Sequence, residues 1–218
     1  MKTEIKTAIM CGIIITVGII SISIFYNEVD MKRNTTYNIE IEDKSKLQKI
    51  PSMLDATGYI NTASNELAET LEGKVVLYDI WTYSCINCIR TIPYITAWDE
   101  KYGTEGLVII GIHTPEFEFE KDKDNVLAAV QKFDINYPVV LDNEKEIWNA
   151  FQNKYWPRKY IADHNGYIRY DHIGEGAYTE TEKVIQQLLQ ERSESLNIKT
   201  NTFELTTLKE FEHSTFRT

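Results

Sequence analysis

Two cysteines, Cys85 and Cys88, stand three apart directly behind the apolar run Val75-Val76-Leu77-Tyr78-Asp79-Ile80-Trp81. A dithiol with this spacing is suited to exchange with another disulfide, provided the first sulfur is a thiolate and the second lies within its reach. A helix N-terminus meets both needs. Its unpaired N–H groups and positive dipole end favour Cys85 as a thiolate, and Cys88 follows one turn later. Two plainer readings of the pair exist. Half of a structural zinc site needs two more ligands, and the chain has no second Cys-x-x-Cys and no His-x-x-x-His. An inert structural disulfide closes too short a loop to stabilise much.

The elements that must hold these sulfurs follow from the flanking pattern. The run Val75 to Trp81 is short, β-branched and aromatic, as a buried strand is. Beyond Cys88, Ile92, Ile95 and Trp98 recur at helical spacing as far as Tyr102, where Gly103 and Gly106 end the helix. Asp79 lies on the strand six residues before Cys85. A carboxyl on a central strand has its pKa raised by burial toward the range useful for acid–base work, and the alternative is a strand-end acid facing solvent.

Around this centre the chain alternates strand and helix. A short edge strand is expected at Gly58 to Asn61, helical turns at Ser64 to Leu71, a strand at Leu107 to His113 and then the acidic loop Thr114 to Glu120. A helix at about 125–133, a strand at 137–141 and a helix at about 144–151 come next. A strand entered through Pro157, a hairpin turn at Asn165-Gly166, the strand Tyr167 to Ile173 and a helix carrying Val184, Leu188 and Leu189 complete the domain. Strands alternating with helices imply βαβ units and an α/β fold. The acidic run Glu116 to Asp124 lacks the Asp-x-Asp-x-Asp-Gly pattern of a calcium loop and reads as a solvated face. Past Gln190 the tail is polar, with Phe203, Leu205, Leu208 and Phe211 spaced to dock on a surface or to remain disordered.

The 218 residues provide for one domain with appendages, and a net charge of −10 leaves no basic stripe for a phosphate backbone, so nucleic acid is excluded as a partner class. Three cysteines make no disulfide framework, and Cys11 sits in an apolar segment as a filler. That segment, Ala8 to Phe25, is uncharged and about 18 residues long, enough for one membrane-crossing helix. Lys2 and Lys6 before it, with Glu28 and Asp30 after it, place the N-terminus in the cytoplasm and the rest outside. A cleaved signal peptide is the competing reading, but the run is long for one and no Ala-x-Ala site follows. The expected organisation is a transmembrane signal anchor at 1–29, a polar tether at 30–50, a domain at 51–190 and a C-terminal tail at 191–218. The tether holds Asn34-Thr35-Thr36, an N-glycosylation pattern.

In order, the segments WTYSCINC, the IPY that follows, HTPEF, YPVVLDN, YWPRKY and IGEG resemble the thioredoxin superfamily in its membrane-tethered TlpA/ResA-like branch, most closely the thioredoxin-like domain of DipZ-type proteins. The resemblance covers about Pro51 to Leu189. It implies a thioredoxin-like α/β fold, a central mixed sheet flanked by helices, with one N-terminal transmembrane helix added here. It further implies Cys85 as nucleophile, Cys88 as resolving thiol, Asp79 as the buried acid serving Cys88, and Pro93 as the proline within the active-site helix. Pro157 corresponds to the proline held in cis opposite the dithiol, which exposes the backbone of Trp156 to an extended substrate; as a residue alone, Pro157 is a strand-edge breaker. Trp81 and Tyr83 are expected beside the dithiol, contributing to substrate binding or acting as core aromatics. The sequence departs from the ResA pattern at Thr91, where a glutamate follows the second cysteine by three, and Glu116 is the candidate substitute.

The expected protein is a single-pass, membrane-anchored thiol:disulfide oxidoreductase with its catalytic domain extracytoplasmic. It reduces protein disulfides through Cys85 and Cys88, uses no cofactor beyond that redox-active disulfide and no metal, and draws electrons from a membrane donor. Two other functions fit parts of the sequence. Thr82-Tyr83-Ser84-Cys85 matches the Thr-x-x-Cys of thiol peroxidases, with Arg158 as activating cation, although Asp79 stands where a proline is expected. Copper delivery through Cys85, Cys88 and His113 is the third, against a hydrogen-bonded structural role for His113.

Overall fold

The computed structural model describes residues 47–51, 56–199, 201 and 204–206. The proposed anchor at 1–29, nearly all of the tether, Cys11 and Phe203, Leu208 and Phe211 lie outside the described residues. Six strands form one mixed sheet: β1 (Gly58–Ile60), β2 (Val75–Trp81), β3 (Leu107–His113), β4 (Val139–Leu141), β5 (Arg158–Ala162) and β6 (Ile168–Ile173). Their order is β1-β4-β3-β2-β5-β6. β2 runs parallel to β3 and β3 to β4, while β1, β5 and β6 join antiparallel. The helices are α1 (Ser64–Leu71), α2 (Ile86–Tyr102), α3 (Lys123–Lys132), α4 (Glu146–Ala150) and α5 (Tyr178–Leu196).

All seven residues of β2 are buried, as a strand covered on both faces must be. Side chains alternate across it. Val75, Leu77 and Trp81 join a core with Cys88, Ile92, Ile95 and Trp98 of α2, Val126 and Val130 of α3, and Val184, Ile185 and Leu188 of α5. Val76, Tyr78 and Ile80 join the opposite core with Leu67 of α1 and Ile147 and Trp148 of α4. Asp79 shares the parity of Leu77 and Trp81. It therefore points into the layer that holds the cysteine-bearing helix.

Most expected elements are present, with shifted ends. Gly106 ends the α2 region in left-handed backbone at φ 108°, after the short turn Gly103–Glu105. The acidic loop is more ordered than its composition implies, forming a 3-10 turn at Glu118–Lys121 before α3 starts at Lys123. β5 begins at Arg158, after the cis Trp156–Pro157 peptide bond. α5 continues through the polar stretch after Gln190 to Leu196, because Glu191 pairs with Arg169 and Ser193 is buried. Part of the tail is docked: Thr206 donates from its N–H and hydroxyl to Glu182, and Lys101 reaches the Glu204 carbonyl. At the other end, Ile50 and Ile168 exchange backbone hydrogen bonds with Gly166 and Gln48, so residues 48–50 pair with the β5–β6 hairpin.

Candidate active site

Cys85 is the N-cap of α2. Its sulfur accepts the Cys88 N–H at 3.4 Å, and its carbonyl accepts the Ile89 N–H at 3.0 Å. Strand β2 ends at Trp81 and three residues turn the chain, so Cys85 is half-buried while Cys88 enters the core. Both are free thiols here. Their surroundings drive them apart. Hydrogen bonding from the Cys88 side chain, joined by the backbone N–H groups of Cys88 and Asn87, lowers Cys85 to about 6 against the opposing effects of partial burial and the Glu116 charge. Burial, with the neighbouring Cys85, pushes Cys88 far above the ordinary thiol range. At neutral pH the exposed sulfur is the thiolate and the buried one the thiol.

Asp79 is buried, which removes the reading of a strand-end acid in solvent. Burial raises its carboxyl to about 6, tempered by the charge of Lys159, and its Oδ1 has no hydrogen-bond partner among the described residues. Lys159 was not legible as a site residue. It lies directly opposite Asp79 in the β2–β5 register, is fully buried, and donates to the Gly174 carbonyl at 3.2 Å. Burial lowers its pKa, and the charges of Asp79 and Cys88 act against that. On the other side of Asp79, β3 supplies Gly111, where a Cβ would sit 3.0 Å from the Trp81 indole nitrogen and 3.2 Å from Tyr137 and Val139.

The carboxylate hydrogen-bonded to the turn before Cys85 is Glu120, whereas Glu116 reaches Cys85 only through its charge. Glu116 is exposed, whereas Glu120 is fully buried although it belongs to the run that composition assigns to a solvated face. The reason is its hydrogen bonding: Ser84 Oγ donates to it at 2.5 Å, and the N–H groups of Glu116 and Phe117 at 2.6 and 2.9 Å. Burial alone would raise its pKa, but these donors and Thr82 prevail and hold it below the usual value. The i to i+4 spacing from Glu116 was the available signal, and it could not show which glutamate turns inward.

His113 is buried, 3.4 Å from Thr82 Oγ1 through Nε2, stacked on Tyr83 at 5.7 Å and edge-on to Trp81 at 5.3 Å. Burial lowers it to about 4, so it is neutral at pH 7. Trp81 is fully enclosed and offers no surface to a substrate, which corrects the expectation that it contributes to binding; it is a core aromatic. Tyr83 is half-buried, packs against the same core as Cys85, and donates to the Phe119 carbonyl at 3.2 Å. Trp156 is half-buried, and its indole N–H donates to the Thr114 carbonyl at 3.0 Å. Its own main-chain groups make no hydrogen bond among the described residues. Arg158 is forked onto Asp171 at 2.5 and 3.1 Å, away from the role of activating Cys85. Among the described residues no group of three or more His, Cys, Asp or Glu side chains is arranged to hold a metal, so Cys85, Cys88 and His113 do not form one.

Residues 47–189 match the family model described as Redoxin. Protein DipZ of Mycobacterium bovis is 44% identical over 141 residues, 64% of this chain but only 20% of that protein; the chain thus spans about a fifth of the length of the first curated relatives it matches. Thiol-disulfide oxidoreductase YkuV of Bacillus subtilis is 26% identical over 145 residues, 66% of this chain and 96% of its own length. The solved structure described as a thioredoxin-like protein in the oxidized form superimposes with a TM-score of 0.59 at 25% identity, covering 66% of this chain and 97% of that one.

Proposed function

Because this chain belongs to the Redoxin family, as a thiol-disulfide oxidoreductase in the TlpA/ResA-like branch of the thioredoxin superfamily, we propose that it is a membrane-anchored, extracytoplasmic reductase of protein disulfides. The opposed environments of its two thiols support the dithiol-exchange chemistry in that reading above all. Cys85, half-buried and held at a pKa of about 6, attacks one sulfur of a substrate disulfide; the S–S bond breaks and one substrate thiolate leaves. The resulting mixed disulfide joins Cys85 to the other substrate sulfur. Asp79, ionised above about 6, then takes the Cys88 proton, and the new thiolate attacks Cys85 Sγ. The second substrate thiolate is released, the Cys85–Cys88 disulfide forms, and the substrate has gained two electrons. No cofactor is needed beyond that pair. An external dithiol must return the two electrons.

The uncharged run Ala8 to Phe25 behind Lys2 and Lys6 supports anchorage at 1–29, a tether at 30–50, the catalytic domain at 51–190 outside the cytoplasm, and a tail at 191–218. There no glutathione pool keeps thiols reduced, so the dithiol depends on a membrane electron donor. Tyr83, Trp156 and Pro157 are assigned to the substrate, Trp156 through its free main-chain groups.

The test uses full-length Cys88→Ser and Cys85→Ser variants in membranes. With a protein disulfide as substrate, Cys88→Ser is expected to accumulate a mixed disulfide on Cys85, and Cys85→Ser to accumulate none. Equal trapping by both variants, or by neither, refutes the assignment. Protease added to intact cells is expected to remove the domain, and protection until lysis refutes the topology.

A further inference from the structure

Three successive residues before Cys85 are all bonded to one segment of the loop after β3. Thr82 and Ser84 donate from their hydroxyls to the Glu120 carboxylate, Ser84 at 2.5 Å, and between them the Tyr83 hydroxyl donates to the Phe119 carbonyl at 3.2 Å. The turn itself closes with the Cys85 N–H on the Thr82 carbonyl at 3.3 Å. Glu120 is fully buried, and its second oxygen accepts the Glu116 and Phe117 N–H groups. The loop is fastened from behind as well. Thr114 Oγ1 donates to Asp142 at 3.0 Å and the Asn143 amide to the Lys121 carbonyl at 3.0 Å, while Asp142 also accepts the Ile147 and Trp148 N–H groups at the start of α4. A carboxylate held in this way is a fixed point against which the turn is set.

What Cys85 does explains why its turn needs a fixed point. As N-cap of α2 it has extended backbone, φ −74° and ψ 113°, and its Sγ accepts the Cys88 N–H at 3.4 Å. Helix N–H groups favour a thiolate only within hydrogen-bond distance and near-linear alignment, so a small rotation of Cys85 forfeits their effect. Thr82, Tyr83 and Ser84 lie between β2 and the N-cap, outside both strand and helix. We infer that Glu120, acting through Thr82 and Ser84, is a positioning residue for the nucleophile: it holds the turn so that Cys85 Sγ stays on the helix N–H groups while facing the disulfide it attacks. This rests on the reading of Cys85 as the attacking thiol and adds to it a residue that acts on the sulfur only through others. A carboxylate acting merely as a charge would do the reverse, since a negative neighbour disfavours the thiolate. The two roles have opposite signs.

The experiment follows alkylation of Cys85 by iodoacetamide against pH in full-length Ser84→Ala, Ser84→Thr and Glu120→Gln variants, with urea denaturation establishing that each is folded. From a wild-type midpoint near pH 6, Ser84→Ala is expected to move upward by about one pH unit, so that the Cys85 thiolate fraction at pH 6 falls about fivefold. Ser84→Thr keeps the hydroxyl and is expected to stay close to wild type. Glu120→Gln keeps an acceptor for Ser84 but loses one for the loop N–H groups, and its midpoint is expected to rise too. Should Glu120→Gln not fold, the Ser84 pair decides alone. An unchanged midpoint in Ser84→Ala, with only its resistance to urea lowered, overturns the inference by leaving Glu120 a purely structural role. A lower midpoint in Glu120→Gln overturns it by showing that the carboxylate acts as a charge. Alkylation of Cys88 before Cys85 in the wild type would instead sink the reductase reading, and this inference with it.

Discussion

Lys159 faces Asp79 directly across the β2–β5 ladder, and both side chains are sealed from solvent in the layer that also contains Cys88. A buried carboxyl and a buried ammonium so placed hold each other closer to the charged state than burial alone allows. The carboxyl's charge is what the resolving step uses. Replacing Lys159 by Met is expected to raise the Asp79 pKa above about 6 and move the acid limb of the pH–rate profile to higher pH. A profile unchanged in Lys159→Met would show that Asp79 and Lys159 are not coupled.

The same carboxyl shapes stability in an opposite sense to most acids. Asp79 titrates near 3.8 when unfolded and near about 6 when folded, so between those values the unfolded chain has released its proton while the folded chain keeps it. Stability is therefore lost as pH rises through that window, by about 3 kcal/mol. His113 works the other way. Its ordinary 6.5 falls to about 4 in the fold, so the unfolded chain protonates first and about 3 kcal/mol is lost as pH falls from 6.5 toward 4. The two slopes nearly cancel. Urea denaturation of Asp79→Asn is expected to leave the His113 slope unopposed by Asp79, with stability dropping on acidification more steeply than in the wild type, and with greater stability at pH 7 offset in part by Lys159 losing its counter-charge.

Cys85 should react with iodoacetamide along a curve whose midpoint lies near pH 6, and Cys88 should stay unmodified until the protein unfolds. The Cys88 side chain is the largest influence favouring the Cys85 thiolate, so Cys88→Ala is expected to shift that midpoint upward while Cys88→Ser, which keeps a donor, shifts it less. Identical midpoints in the two variants would move the cause to the helix N–H groups.

Glu120→Ala removes the acceptor for three donors at once and is expected to destabilise the protein by roughly 2–4 kcal/mol, whereas Ser84→Ala removes one and is expected to lose about 1–2 kcal/mol. Chemical denaturation of the two variants at pH 7 checks the order. Equal losses would mean that the two backbone donors find other acceptors.

The strand, the dithiol and the helix behind it were legible because each is a local pattern: seven residues apolar or aromatic except at Asp79, two cysteines, and a helical period of Ile92, Ile95 and Trp98. Asp79 was legible through its fixed distance from Cys85. Lys159 was not, since its burial depends on a pairing with Asp79 eighty positions earlier in the chain, and lysine in an alternating strand ordinarily marks the solvent side. Glu120 was hidden for a related reason. Among closely spaced acids, the loop's own backbone donors and a contact with Ser84, 36 residues away, decide which one turns inward.

The loop that bears Phe117 and Phe119 has a buried root and an exposed tip. Glu120, the root, is bonded one residue from Cys85, while the phenylalanines at the tip stack on each other and Phe119 meets the Tyr83 ring. For protein engineering this separates two properties that are often entangled. Side chains at 117 and 119 can be exchanged without touching the bond that fixes Ser84 beside Cys85, whereas any graft of the loop into another scaffold must bring Glu120 and Ser84 together.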